Sequence, residues 1–433
     1  MAEVIKGVWS AEGLTGLPRR DRRPCGCEAY VPDVLTGRRV TLQGDVAADV
    51  ADAERAIAAL DAQALTLADT EALARILLRA ESVASSRIEG LEVGARRLLR
   101  AQAAQELGEP PSDVTAIEVL GNINAMSEAI HGISPGDPVT VEHLLAFHRR
   151  LLTDTRRATY AGIIRTEQNW IGGSACNPCS ASFVPPPHEM VPDLLEDLCT
   201  FCSNDSLPAV AQAAIAHAQF ETIHPFVDGN GRTGRALIHL VLRRRGLATR
   251  ILPPISLVLA TWSSDYVTGL QATRYRGPAS SSAAQGGINL WVARFAAAAQ
   301  RAVDDASSFE ATAQLLQAQW KTKLGSVRAN SATDLLLRSL PGAPVITASS
   351  ATTLVGRSFK AVNDAITRLV EAGILEQVNV GKRNRVFEAP EIIEAFTDLE
   401  RQLASPEGDT RTSKPARRVP RRRSGQRTDS PPE

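Results

Sequence analysis

From Val46 to about Glu106, apolar side chains recur every three or four positions through "DVADAERAIAALDAQ", "TEALARILLRAESVASS" and "VGARRLLRAQAAQ". That period matches the turn of an α-helix and predicts three amphipathic helices. Two more follow in "SDVTAIEVLGNINAMSEAI" and "TVEHLLAFHRRLL", where Ser112 and Thr140 stand at the N-cap positions. The period breaks over residues 158–190, which contain "GIIRTEQNWIGGSACNPCSASFVPPPHEM". Gly, Pro and short β-prone runs alternate there, and they predict a β-hairpin between two helices, a flap or lid. Helical periodicity resumes at about 190, 207, 231, 256, 286 and 306, so the first 325 residues read as one large all-helical unit.

Residues 330–400 follow a different order. "SATDLLLRSL", "ASSATTLVG" and "SFKAVNDAITRLVEAG" predict three helices, with Gly356 and Gly373 as turns, and "ILEQVNVGKRNRVFEA" predicts a two-stranded wing. That order is a winged helix. The chain therefore divides into an N-terminal arm (1–45), a helical region (46–110), a core (111–325), a winged helix (330–402) and a basic tail (403–433). The tail, with "KPARRVPRRRSGQR", lacks apolar spacing and has a disordered composition.

Composition narrows the function. Lys plus Arg and Asp plus Glu number 48 each, so the net charge gives no argument for nucleic acid or an acidic partner. No apolar run approaches the roughly 18 residues that span a bilayer, and no leader-type segment opens the chain, so a cytoplasmic protein without membrane contact is expected. Six cysteines in that setting are expected to be thiols. Cys176, Cys179, Cys199 and Cys202 form two CxxC pairs at a spacing open to structural zinc. Against zinc, "VPDLLEDLCTFC" reads as an amphipathic helix that buries Cys202 with Leu194, Leu195, Leu198 and Phe201.

The densest chemistry lies in "HPFVDGNGRTGR", His224 to Arg235. A glycine-rich turn feeding a helix start presents backbone N–H groups to an anion, and the glycines let a phosphate approach closely. Arg232 and Arg235 stand three apart on that helix and can offer two planar forks to a polyphosphate. Asp228, at the lip of the turn, is a hard carboxylate suited to Mg²⁺ bridging the same phosphates. His224 is the titratable base, with an ordinary pKa near ~6.5. A histidine before proline, a GNG turn or two helical arginines are each commonplace. Their conjunction in this order is not.

The motif resembles the signature of Fic-domain proteins, His-Pro-Phe-x-Asp/Glu-Gly-Asn-Gly-Arg-x-x-Arg, at every defined position, and the resemblance spans about residues 45–325. It implies a helical fold carrying a β-hairpin flap, and transfer of AMP from ATP to a Ser, Thr or Tyr hydroxyl of a target protein or of the chain itself. His224 would then deprotonate the hydroxyl and Asp228 hold Mg²⁺. Gly229, Asn230, Gly231, Arg232, Thr233 and Gly234 would cradle the α- and β-phosphates, and Arg235 would grip the γ-phosphate. The flap, with Asn169, Trp170, Ile171 and Gly172, would pin the target segment by strand pairing. Similar proteins also use UTP, GTP or other phosphate donors, and no residue here reads the base.

Upstream, "SSRIEG" is similar to the inhibitory pattern Ser/Thr-x-x-x-Glu-Gly/Asn of the same family, with Ser85, Glu89 and Gly90 in the defined places. Ser85 and Glu89 are i and i+4 on a predicted helix, which Gly90 can end. The resemblance implies that Glu89 pairs with Arg235 and denies it to the γ-phosphate, and that the same glutamate can support removal of AMP. Lys360, Arg368, Lys382, Arg383 and Arg385 on the winged helix suit DNA phosphates, although such modules also serve as protein-binding or dimer surfaces. The alternative function is thus a DNA-binding regulator whose Fic core senses a nucleotide.

Overall fold

The computed structural model describes residues 1–10, 19–63, 70–108, 113–380 and 384–403. It is mainly helical with two small sheets. Helices α1 (Gly44–Gln63), α2 (Thr70–Ile88), α3 (Ala95–Glu106), α4 (Val114–His131) and α5 (Val141–Leu152) follow the periodic N-terminal text. Thr140 caps α5 in a reciprocal box with His143. The N-cap of α4 is Asp113, whose side chain accepts from Ala116; Ser112 lies outside the described residues.

Next come α6 (Val191–Cys202), α7 (Ala209–Ile223), α8 (Asn230–Arg244), α9 (Ile255–Thr261) and α10 (Ser263–Ala272). Every residue of α7 is buried, its polar Gln212, His217, Gln219 and Glu221 included, so it forms the axis of the main core. Where two helices were expected near 286 and 306, one helix, α11 (Ser282–Leu324), runs unbroken for 43 residues. Its middle stretch, Asp304 to Ser308, looks like a break in sequence but contains neither Gly nor Pro to stop a helix. Phe295 and Phe309 on α11 belong to the main core and Trp320, near its end, to a second core.

The second core is built by α12 (Ala332–Ser339), β3 (Val345–Thr347), α13 (Ala348–Val355), α14 (Phe359–Glu371), β4 (Glu376–Val380), β5 (Asn384–Glu388) and α15 (Pro390–Leu403). The three strands are antiparallel in the order β3-β5-β4. Gly356 and Gly373 close their helices with φ of 59° and 66°, a conformation that favours glycine. Lys360 and Arg385 are exposed, whereas Arg368 is engaged, donating to the carbonyls of Leu324 (2.9 Å) and Ser326 (2.8 Å). Lys382, Arg383 and the tail from 404 lie outside the described residues.

Three expectations are corrected. The first 325 residues are not all helical: β1 (Glu3–Trp9) and β2 (Cys25–Val31) pair antiparallel from Glu3↔Val31 to Trp9↔Cys25. The predicted flap hairpin over 158–190 has no strands, only a bridge between Ile171 and Phe183. Gly172 and Gly173 follow Ile171 at once with φ of 75° and 73°, which turns the chain before a ladder can form. Finally, the cysteines are not all thiols, since Cys25 of β2 and Cys179 of the flap form a disulfide. With Cys179 so bonded and Cys199 and Cys202 buried in α6, the four-cysteine zinc set does not assemble. Among the described residues no helix is long and apolar enough to cross a membrane.

Candidate functional site

Helix α7 stops at Ile223 because Pro225 cannot continue it, and His224 takes the left-handed C-cap conformation, φ 50° and ψ 61°. A non-glycine residue in that region is held there by its surroundings. Here the holding group is Arg165, 3 % exposed, which donates from Nε to the His224 carbonyl (3.0 Å) and from Nη2 to those of Pro186 (2.6 Å) and Ile223 (3.4 Å). Asn169 donates from Nδ2 to the carbonyls of His224 (3.2 Å) and Phe226 (3.0 Å). Burial, with a contribution from Arg165, pushes the His224 imidazole down to about 4, so it is neutral at neutral pH.

The turn after His224 is braced from both sides. Asn230 accepts from the Phe226 N–H through Oδ1 and donates to its carbonyl through Nδ2, both at 2.8 Å. His148 on α5 stacks on the Phe226 ring with centroids 3.7 Å apart. Its Nδ1 accepts from the Gly162 N–H (3.0 Å), which leaves Nε2–H to donate to the Asp228 carbonyl (2.9 Å). Burial holds this imidazole at about 4, in keeping with a neutral tautomer.

Gly229 caps α8 with φ 77°, and the first-turn N–H groups that follow have no acceptor within the helix. Arg232 is 4 % exposed, with Nε and Nη1 lacking any acceptor among the described residues and Nη2 3.7 Å from Asp228. Asp228 itself is half-exposed, its Oδ1 accepting from the Gly229 N–H at 2.6 Å and its Oδ2 3.7 Å from Arg157. Among the described residues no group of three or more acidic, His or Cys side chains converges on a metal site. Asp228 is the carboxylate at the lip of the turn that could hold Mg²⁺ together with substrate oxygens.

Arg235, 1 % exposed, faces the end of α2. It donates to Ser85 Oγ (2.9 Å) and the Ser85 carbonyl (2.7 Å), and its Nη2 lies 2.7 Å from Glu89 Oε1. The helix ends at Ile88, so Glu89 sits in the closing turn, which Gly90 completes with φ 79°. Burial alone would raise the Glu89 pKa, but Arg235 overcomes it and holds the carboxylate below its usual range. Glu89 Oε1 also lies against Gly231, where a side-chain methyl would collide with it. The carboxylate thus occupies the mouth of the α8 anion cradle, its oxygen standing where a phosphate oxygen could sit.

Two residues of the site carry no sequence signal: His148 and Arg165 act on backbone carbonyls, which leave no residue pattern. Asn169 had been expected in a docking strand and instead turns inward; Trp170 donates to the Ser174 carbonyl at 2.7 Å, and Ile171 makes the bridge to Phe183. Behind Arg235, Glu221 is buried and pushed up to about 7 by that burial. Gly234 is needed there because any side chain would strike Glu221 and Phe220.

Comparison with known proteins bears on these residues. Residues 138–242 match the Fic/DOC family and residues 47–131 match the Fic/DOC family N-terminal region. The chain is 35% identical over 120 residues to protein adenylyltransferase fic-1 of Caenorhabditis elegans and 33% identical over 139 residues to protein adenylyltransferase Fic of Drosophila willistoni. Those matches cover 27% and 31% of this chain, and only 22% and 26% of the relatives' length. In fold it is similar to a Fic family protein from Desulfovibrio desulfuricans G20, with TM-score 0.50 and 22% identity, over 81% of this chain and 98% of that one.

Proposed function

We propose, from the premise that this chain belongs to the Fic/DOC family over residues 47–131 and 138–242, that it is an autoinhibited protein adenylyltransferase. The reaction is transfer of AMP from ATP to a Ser, Thr or Tyr hydroxyl of a target protein or of the chain itself. The single observation that carries the reading is the Glu89 carboxylate lodged between Arg235 and the glycine-rich start of α8. A site that holds a carboxylate in that place has the donors and the space to hold a phosphate oxygen.

In the reaction, the target hydroxyl oxygen bonds to the α-phosphorus, the bond from that phosphorus to the bridging oxygen breaks, and pyrophosphate leaves. The hydroxyl proton passes to the neutral imidazole of His224. Arg232, with two unpartnered N–H groups, and the first-turn amides of α8 face the phosphate charge. Arg235 would take the γ-phosphate once Glu89 leaves. Asp228 would hold Mg²⁺, which supplies further neutralisation of the phosphates.

With Glu89 in place, Arg235 is satisfied and the nucleotide lacks its terminal anchor. The same carboxylate, close to the cradle, could serve the reverse hydrolysis. We read the second core as a winged helix on its helix and strand order, and cytoplasmic residence as the setting of the enzyme.

The test uses wild type, Glu89→Gly and Glu89→Gly/His224→Ala with Mg²⁺ and α-labelled ATP, with label on protein read by mass spectrometry. Label that rises with Glu89→Gly and vanishes in the double variant is the expected result. Equal label in all three proteins contradicts the reading.

A further inference from the structure

A second cavity lies away from this site, in the crevice between the N-terminal helices and the second core, with a volume of about 1190 Å³. Its walls come from α2, α3 and α4, the segment from Arg243 to Leu252, and the stretch from Gly342 to Leu354. Four arginines line it, Arg75, Arg79, Arg243 and Arg250, against two acids, Glu71 and Glu106.

Three of the four arginines are already engaged. Arg75 pairs with Glu71, Arg250 lies 3.3 Å from Asp61, and Arg243 donates to the carbonyls of Ile133 (2.9 Å) and Thr249. Arg79 is different. It is 8 % exposed, and among the described residues its Nη2 meets only the neutral amide oxygen of Gln102 while Nε and Nη1 have no acceptor. Glu106 acts on it electrostatically without reaching ion-pair distance, instead accepting from Gln102 at 3.3 Å. A buried guanidinium with one neutral partner is costly to keep. The stability lost there calls for a compensating anion, and the cavity beside it has the room for one.

The rest of the wall describes the anion's body. Leu78, Ile123, Ile130, Leu252 and Ile346 give an apolar surface, while Ser350 and Thr353 add hydroxyls. We propose that this cavity binds a small organic anion, phosphate- or carboxylate-bearing, whose charged group pairs with Arg79 and whose apolar body lies against Leu78, Ile123 and Ile346. The site is separate from the α8 cradle and needs neither His224 nor Arg235.

Phenyl phosphate and benzoate are suitable probes, because each joins a small apolar ring to one of the two charged groups. Full-length wild type and Arg79→Met are compared by calorimetric titration and by Tm with and without probe. Expected is Tm-raising binding of at least one probe to wild type, weakened about tenfold or more by Arg79→Met, whose Tm without probe stays at or above wild type. The tighter probe identifies the charged group. Equal affinity in both proteins, or no binding to wild type, overturns the proposal. So does a purely structural pair, in which Arg79→Met and Glu106→Gln both lower Tm and leave probe affinity unchanged.

Discussion

Glu89 and Arg235 meet at 2.7 Å between the end of α2 and the first turns of α8, and Ser85 holds the same guanidinium through its hydroxyl and its carbonyl. The three contacts are separable. Removing the carboxylate frees one face of Arg235 while Ser85 keeps the side chain in place.

Glu89→Gly is therefore expected to raise AMP incorporation by roughly 5- to 150-fold, the usual range of a coupling of ~1–3 kcal/mol. Glu89→Gln, which keeps a neutral acceptor beside Arg235, should give a smaller rise. Initial rates of label incorporation decide it, and a rate for Glu89→Gly equal to wild type would count against the brake.

The pH dependence of that released enzyme should be unusual for a histidine base. His224 is held at about 4, so it stays unprotonated well below the ordinary ~6.5. The acid limb of the rate profile should lie near pH 4, and a limb at 6.5 would show that the imidazole is solvated during turnover.

Stability carries the same sign. His148, His217 and His224 are all depressed by burial, to about 4, 3 and 4. Their unfolded forms bind protons first, so the folded protein loses stability as pH falls from about 6.5 towards 4. A Tm that is flat over that window contradicts the buried neutral state of these rings.

Arg165→Lys tests the support of the turn that carries His224. A lysine cannot reach the carbonyls of His224, Ile223 and Pro186 together, since it lacks the planar fork. We expect transfer in the Glu89→Gly background to fall by about tenfold or more through kcat, with the KM for ATP little changed, and Tm to drop by an amount equivalent to ~1–3 kcal/mol. A matching loss in KM would place Arg165 in nucleotide binding instead.

The Cys25–Cys179 bond ties β2 to the flap, where Asp21 also accepts from Ser174 (3.1 Å) and Asn177 (2.8 Å). Reduction should lower the Tm of wild type by an amount equivalent to ~2–4 kcal/mol and leave Cys25→Ser unaffected. Wild type insensitive to a dithiol would mean that the bond is absent in solution.

The sequence shows best the motifs whose residues have a fixed local order. His224 to Arg235 and Ser85 to Gly90 were legible because each demands particular residue types at particular spacings, and the structure brings Ser85, Glu89 and Arg235 into contact. Helix periodicity located most of the helices and Thr140 marked the start of α5. The β1–β2 hairpin escaped because its two strands are joined by a long connection without a tight-turn signal. Arg165 and His148 escaped, and Asn169 was placed in the flap without its inward contacts, because their partners are main-chain oxygens, to which the sequence is blind. The Cys25–Cys179 bond could not be read at all from spacing, being closed across 154 residues by tertiary packing.

Gly342 packs directly on the backbone of Ala72, where no side chain would fit, so α2 is gripped near its first turn by the second core and at its other end by Arg235. A rigid rod held at both ends transmits displacement along its length. A partner that tilted the second core would thereby load the helix that ends beside Glu89, about five helical turns from the grip at Ala72.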